Sequence, residues 1–151
     1  MPQLTRRATL VIGASGAALT IVGWTRSASA AAKEAAEQIA KFTAGKTAEQ
    51  GKISIELPEI AENGNTVPLS VSVDAPMTAD NYVSEIMVVS EGNPNPGIAT
   101  FQLTPMSGKA QVATRIRLAA TQNIVVVAKT STGQFFTGQK LVKVTIGGCG
   151  G

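Results

Sequence analysis

The sequence predicts an all-β domain: an immunoglobulin-like antiparallel β-sandwich of about seven strands, with a short N-terminal helix and a flexible, glycine-rich C-terminal arm. Three observations predict it. From Lys52 onward apolar residues recur at a period of two. The alternating segments are separated by Gly, Pro, Asn and Asp at the intervals of an antiparallel sandwich. The stretch ahead of them is built from helix formers and holds no such alternation. The Cys and Trp markers of true antibody domains are missing, so the prediction is architectural and leaves function open.

In chain order, residues 1–30 read as a removable export signal. Arg6 and Arg7 precede an uncharged run from Ala8 to Thr25, and Arg26 and the small-residue sequence Ala28-Ser29-Ala30 follow it. A basic start, an apolar middle and an A-x-A end make a signal peptide. The run of 18 residues also stands at the lower bound for a membrane span, but four of them are Gly or Ser and a cleavage signal follows, which disfavours an anchor. Paired arginines ahead of a weakly hydrophobic segment fit the twin-arginine route, with Thr9 where that pattern usually carries Phe. Twin-arginine cargo travels folded, and a chain without cofactor ligands on that route implies export already docked to a partner chain.

Residues 31–146 form the expected domain, of ordinary single-domain size. Ala31 to Phe42 predicts a short helix with Ala35, Ile39 and Phe42 on one face and Gly45 placed to stop it. Ile53, Ile55 and Leu57 alternate up to Pro58; Leu69, Val71 and Val73 alternate up to Asp74-Ala75-Pro76; Asn63-Gly64-Asn65 makes a turn between them. Further strands are expected over Tyr82–Ser90, Ile98–Leu103, Gln111–Leu118, Asn123–Lys129 and within Phe135–Ile146. The run Ile86-Met87-Val88-Val89 breaks the alternation: it is either a strand buried on both faces or a surface for a second subunit. The loop Asn93-Pro94-Asn95-Pro96-Gly97, stiffened by two prolines, reads as plain connection.

Composition removes several classes of function. The chain has no His, which excludes Ser-His-Asp and Cys-His catalysis and imidazole metal ligands. A single Cys excludes an intrachain disulfide, a zinc-thiolate site and a two-cysteine redox motif, so no cofactor is expected. The net charge of +3 resides in the leader: Arg6, Arg7 and Arg26 account for three of the 13 basic residues, leaving ten against ten acids. Nothing in that balance suggests a nucleic-acid partner or an anionic membrane surface, and with the leader removed no stable membrane anchor is expected.

The chain ends Gly147-Gly148-Cys149-Gly150-Gly151. Four glycines around the one thiol predict a flexible arm over 147–151 that presents Cys149, its Cα up to roughly 10 Å beyond the last strand. The thiol is read as accessible and not self-activated, since it follows a strand and the terminal carboxylate lies two residues away. Two plainer readings stand beside this: an unstructured tail, and an intermolecular disulfide that makes the chain an exported structural or adhesive sandwich. A prenylation signal is disfavoured because only two residues follow the Cys. Ubiquitin-like carriers that end in Gly-Gly use cytoplasmic ATP chemistry on another fold.

The tail, placed directly after Leu141-Val142-Lys143-Val144-Thr145-Ile146, resembles that of the SoxY family, the sulfur carriers of the bacterial thiosulfate-oxidising (Sox) system. Glu62-Asn63-Gly64-Asn65-Thr66-Val67-Pro68 and Ala113-Thr114-Arg115-Ile116-Arg117-Leu118-Ala119 are similar to that family as well. The resemblance implies a periplasmic carrier that is not an enzyme, paired as a heterodimer with a SoxZ-like β-sandwich subunit. It implies that Cys149 holds the substrate covalently. A haem-containing conjugating enzyme would load it, a manganese hydrolase would release sulfate, and in some organisms a sulfur dehydrogenase would oxidise the remaining sulfane. The residues fit that role on their own terms: only cysteine forms S–S linkages, and Gly148 and Gly150 add little bulk beside the sulfur.

Overall fold

The computed structural model describes residues 26–148, with one α-helix, nine strands and a short 3-10 turn at Pro105–Ser107. Helix α1 spans Arg26–Thr43. It is followed by β1 (Glu49–Gln50), β2 (Ile53–Glu56), β3 (Ile60–Ala61), β4 (Val67–Val73), β5 (Val83–Ser90), β6 (Gly97–Gln102), β7 (Gln111–Ile116), β8 (Gln122–Thr130) and β9 (Phe135–Val144). The larger sheet has the order β1-β9-β8-β5-β6, with β3 also on β9; the smaller is β2-β4-β7. This is the two-layer sandwich the alternation predicts, and seven of its strands coincide with the expected segments.

Two features depart from the expectation. Strands β1 and β3, each two residues long, pair in parallel with β9, Glu49 opposite Phe136 and Ile60 opposite Lys143. The sheet is therefore mixed at that edge. Pairings two residues long are too short to leave a periodic trace in sequence. The helix also starts earlier than expected, at Arg26, so it includes Ala30, after which cleavage is expected.

The interior explains the unbroken apolar run of β5. Ile86 and Val88 point between the sheets, with Val71, Ile116, Leu118, Val126, Phe136 and Val142. Met87 and Val89 point the other way and join Val125, Val127 and Phe135 beneath Ile39 and Phe42 of α1. Both faces of β5 are covered by the chain itself, which is why the strand carries no polar alternates. The run is thus a buried core strand, and as a motive for a second subunit it is withdrawn.

Helix α1 is fastened at its end. Phe42 meets Phe135 edge to face, ring centroids 6.1 Å apart. Beyond Thr43, Gly45 N–H donates to Ala40 O and Ala44 N–H to Lys41 O, the two bonds of a Schellman cap. The left-handed residue that such a cap requires is Ala44, at φ 51°, and Gly45 continues at φ 74°. The stop falls one residue before the glycine that marks it in sequence. No helix among the described residues is long and apolar enough to cross a membrane.

Candidate functional site: the root of the C-terminal arm

Cys149, Gly150 and Gly151 lie outside the described residues, as do Arg6 and Arg7. Gly147 and Gly148 lie inside them, and they show how the domain holds the segment that leads to the thiol. Strand β9 ends at Val144, whose N–H donates to Thr121 Oγ1 at 2.9 Å. The chain then follows the loop after β3: Thr145 N–H donates to Ala61 O, Thr145 Oγ1 donates to Glu62 O, and Gly64 N–H donates to Ile146 O at 2.8 Å. The loop itself is shaped by Asn63, whose Oδ1 accepts Asn65 N–H.

The lacing is completed from the other side by the segment after β7. Leu118 N–H donates to Gly64 O, and Leu118 O accepts Gly148 N–H, both at 2.8 Å. Gly64 and Leu118 thus bond to one another and each also bonds to the tail. Leu118 is fully buried and its side chain belongs to the inter-sheet core, so the carbonyl that receives Gly148 is anchored by the packing of the whole sandwich.

The glycines serve close approach here. A Cβ on Gly147 would overlap Ala119 O, and one on Gly148 would lie 2.7 Å from Gly64 O. At Gly64 an added Cβ would overlap Leu118 O and lie 2.7 Å from Gly148 N. No side chain fits at these contacts without displacing backbone. The sequence reading made Gly147 and Gly148 part of a flexible tether; among the described residues Gly148 is buried with its N–H bonded to Leu118 O, while Gly147 is exposed. Sequence reasoning missed the three-way meeting because the partners are distant along the chain. A signal was nevertheless present, for the segments Glu62–Pro68, Ala113–Ala119 and Gly147–Gly148 that carry the resemblance are the ones brought together.

A polar cluster stands behind Leu118. Asn93, 2% exposed, donates from Nδ2 to Arg117 O and accepts Ala119 N–H on Oδ1, each at 2.9 Å. Gln122 Nε2 donates to the same Oδ1 at 2.8 Å and to Ala120 O at 3.0 Å, while its Oε1 accepts Gly92 N–H at 2.7 Å. Arg115 and Arg117 are exposed on the strand and segment leading into this region. Among the described residues no group of three or more His, Cys, Asp or Glu side chains is arranged to hold a metal ion.

Comparison with known proteins agrees with this assembly. The family model described as sulfur oxidation protein SoxY matches residues 39–149, which takes in the helix end, both sheets and the arm root. The solved structure of the sulfur carrier protein SoxY from Chlorobium limicola f. thiosulfatophilum is 33% identical, with a TM-score of 0.62 over 76% of this chain and 99% of that one. A superoxide reductase (neelaredoxin) from Ignicoccus hospitalis matches at 21% identity and TM-score 0.56, over 62% of this chain and 80% of that chain. The superoxide reductase from Nanoarchaeum equitans matches at 10% identity and TM-score 0.52, over 64% of this chain and 100% of that chain. These last two share the sandwich and nothing further is drawn from them. No curated protein sequence gave a significant match. With the family model spanning most of the domain and the carrier structure covered almost end to end, the chain belongs to the SoxY family of sulfur oxidation proteins.

Proposed function

We propose that this chain is a covalent sulfur-substrate carrier in thiosulfate oxidation, with Cys149 as the attachment site and no catalytic residue of its own. The observation that carries the reading is the clasp: Gly148 is buried and bonded to Leu118 O, and the lone thiol of the chain follows by a single peptide bond. The domain holds the chain at Gly148, the residue that precedes the thiol. Gly147 and Gly148 form the base of the arm.

The chemistry balances with named partners. The Cys149 thiolate and the outer sulfur of thiosulfate join in an S–S bond, and the two electrons released pass to the haem-containing conjugating enzyme. Water then cleaves the terminal S–S bond at the manganese hydrolase: its oxygen leaves in sulfate, two protons are released, and a persulfide stays on Cys149. A sulfur dehydrogenase, where present, takes six electrons from that sulfane while three waters supply the oxygens of a sulfonate and six protons leave; water then cleaves the remaining S–S bond, releasing sulfate and two protons and restoring the thiolate. The thiolate is the form of Cys149 that couples, and its activation falls to the conjugating enzyme.

The same reading places the mature chain in the periplasm after twin-arginine export through Arg6 and Arg7, in a heterodimer with a SoxZ-like sandwich subunit. Its support is family membership and the folded-export argument. Intact-mass analysis of native protein from cells grown on thiosulfate tests it. Sulfur or thiosulfonate adducts on Cys149, absent in Cys149→Ser with the fold retained, are expected. A reducible dimer without adducts would mean a cross-linking tail, and a lone monomer at micromolar concentration would remove the heterodimer.

A further inference from the structure

We infer that Asn93 is a positioning residue for the arm, acting through Leu118 on Gly148; this rests on the carrier reading of Cys149. The loop that begins with Asn93 has no evident task in the sequence, yet its first residue is a fully buried amide with bonds on every side.

Two peptide groups transmit the constraint. A trans peptide sends its C=O and N–H in opposite directions, so fixing one end aims the other. In the group between Arg117 and Leu118, the carbonyl accepts from Asn93 Nδ2 and the N–H donates to Gly64 O. In the group between Leu118 and Ala119, the N–H donates to Asn93 Oδ1 and the carbonyl accepts Gly148 N–H. One side-chain amide therefore holds the rear of both peptides whose front ends grip Gly64 and Gly148. Bonding at one end of an amide polarises the other, which strengthens both grips.

The amide is itself prevented from turning. Gln122 donates to Asn93 Oδ1 and is tied to Ala120 O and Gly92 N–H, and it is 5% exposed. Loop closure is completed at its far end, where Pro96 O accepts Ser90 N–H at 2.8 Å. Truncating Asn93 would leave Arg117 O and Ala119 N–H without these partners and free both peptides to rotate. Since a misplacement of about 1 Å costs on the order of 100-fold in a positioned reaction, a loosened root should slow loading of a thiol one residue away.

Two measurements decide this. In the unmodified chain, amide exchange should give Ala119 and Gly148 a common protection, because one opening event releases both; a Gly148 amide that exchanges like unbonded glycine beside a protected Ala119 would overturn the inference without any variant. In Asn93→Ala, Gly148 protection and the rate of thiosulfate loading by the conjugating enzyme should each fall at least about tenfold, while iodoacetamide labelling of Cys149 stays within about twofold. A folded Asn93→Ala chain with parental protection and parental loading also overturns it. If the parent chain is never loaded, the carrier reading fails, and the exchange comparison still decides the role of Asn93.

Discussion

Gly64 and Leu118 exchange a backbone hydrogen bond of 2.8 Å at a separation that leaves no space for a methyl group on Gly64. The contact joins the loop after β3, which is bonded to the residues that follow β9, to the segment that leaves the smaller sheet, and the tail is bonded to both.

Gly64→Ala is therefore expected to destabilise the domain by about 1–3 kcal/mol, the usual cost of forcing an extra carbon into a packed site. Urea titration gives the value. A loss below about 0.5 kcal/mol would mean that the backbone gives way freely here.

Gly148→Pro removes the N–H that Leu118 O receives and retains Cys149. Loss of the hydrogen bond adds to the overlap of the proline ring with Gly64 O, which predicts a stability loss of about 1.5–4.5 kcal/mol. Enzymatic loading should fall sharply while labelling by a small soluble thiol reagent continues at the parental rate. Unchanged loading would show that the clasp has no part in presenting the thiol.

Ala44→Gly is expected to stabilise the protein. A non-glycine residue in the left-handed region costs roughly 1–2 kcal/mol, and the greater freedom of glycine in the unfolded chain returns about 0.4–1 kcal/mol of that. The net gain should be about 0.5 kcal/mol, read as a small rise in Tm. A fall in Tm would contradict the cap geometry.

Phe42→Ala strips the aromatic contact that docks α1 and uncovers Met87, Val89 and Val127. Phe42 is half-buried, so the cost should stand near the lower end of the 3–5 kcal/mol seen for buried Phe truncations, at about 2–3 kcal/mol. By contrast Lys129→Ala should change stability by less than about 0.5 kcal/mol. Its partner Glu85 is 3.7 Å away and both side chains reach solvent, where an ion pair contributes little. Denaturant titration of the two variants side by side ranks packing against charge.

The sandwich was legible because β4 and β7 each expose one face to water, so Leu69, Val71 and Val73 stand out against Pro68, Ser70 and Ser72. Where both faces are covered, as at Ile86 to Val89, alternation disappears and sequence alone leaves two readings. Strands β1 and β3 escaped notice because two residues cannot display a period. At the site, the lone thiol was visible as a residue type, and the tail's glycines invited an argument from freedom. Their actual constraint comes from Ala119, Leu118 and Gly64, distant in sequence, and a contact of that kind is written in the fold. The same holds for Asn93, whose partners Arg117 and Ala119 lie 24 and 26 residues on.

Strand β9 has a further consequence for how the molecule is made. It is the last strand among the described residues, yet it lies between β8 on one side and β1 and β3 on the other. Synthesis therefore delivers a central plank of the larger sheet after the strands that must receive it. Until Phe135–Val144 has emerged, β8 has an open edge, β1 and β3 have no partner, and Phe136 and Val142 are missing from the interior. Non-local pairings of this type close late in folding. A chain interrupted before Phe135 would lack both the closing strand and the thiol that follows it, so every chain that carries Cys149 also carries the strand that closes the larger sheet.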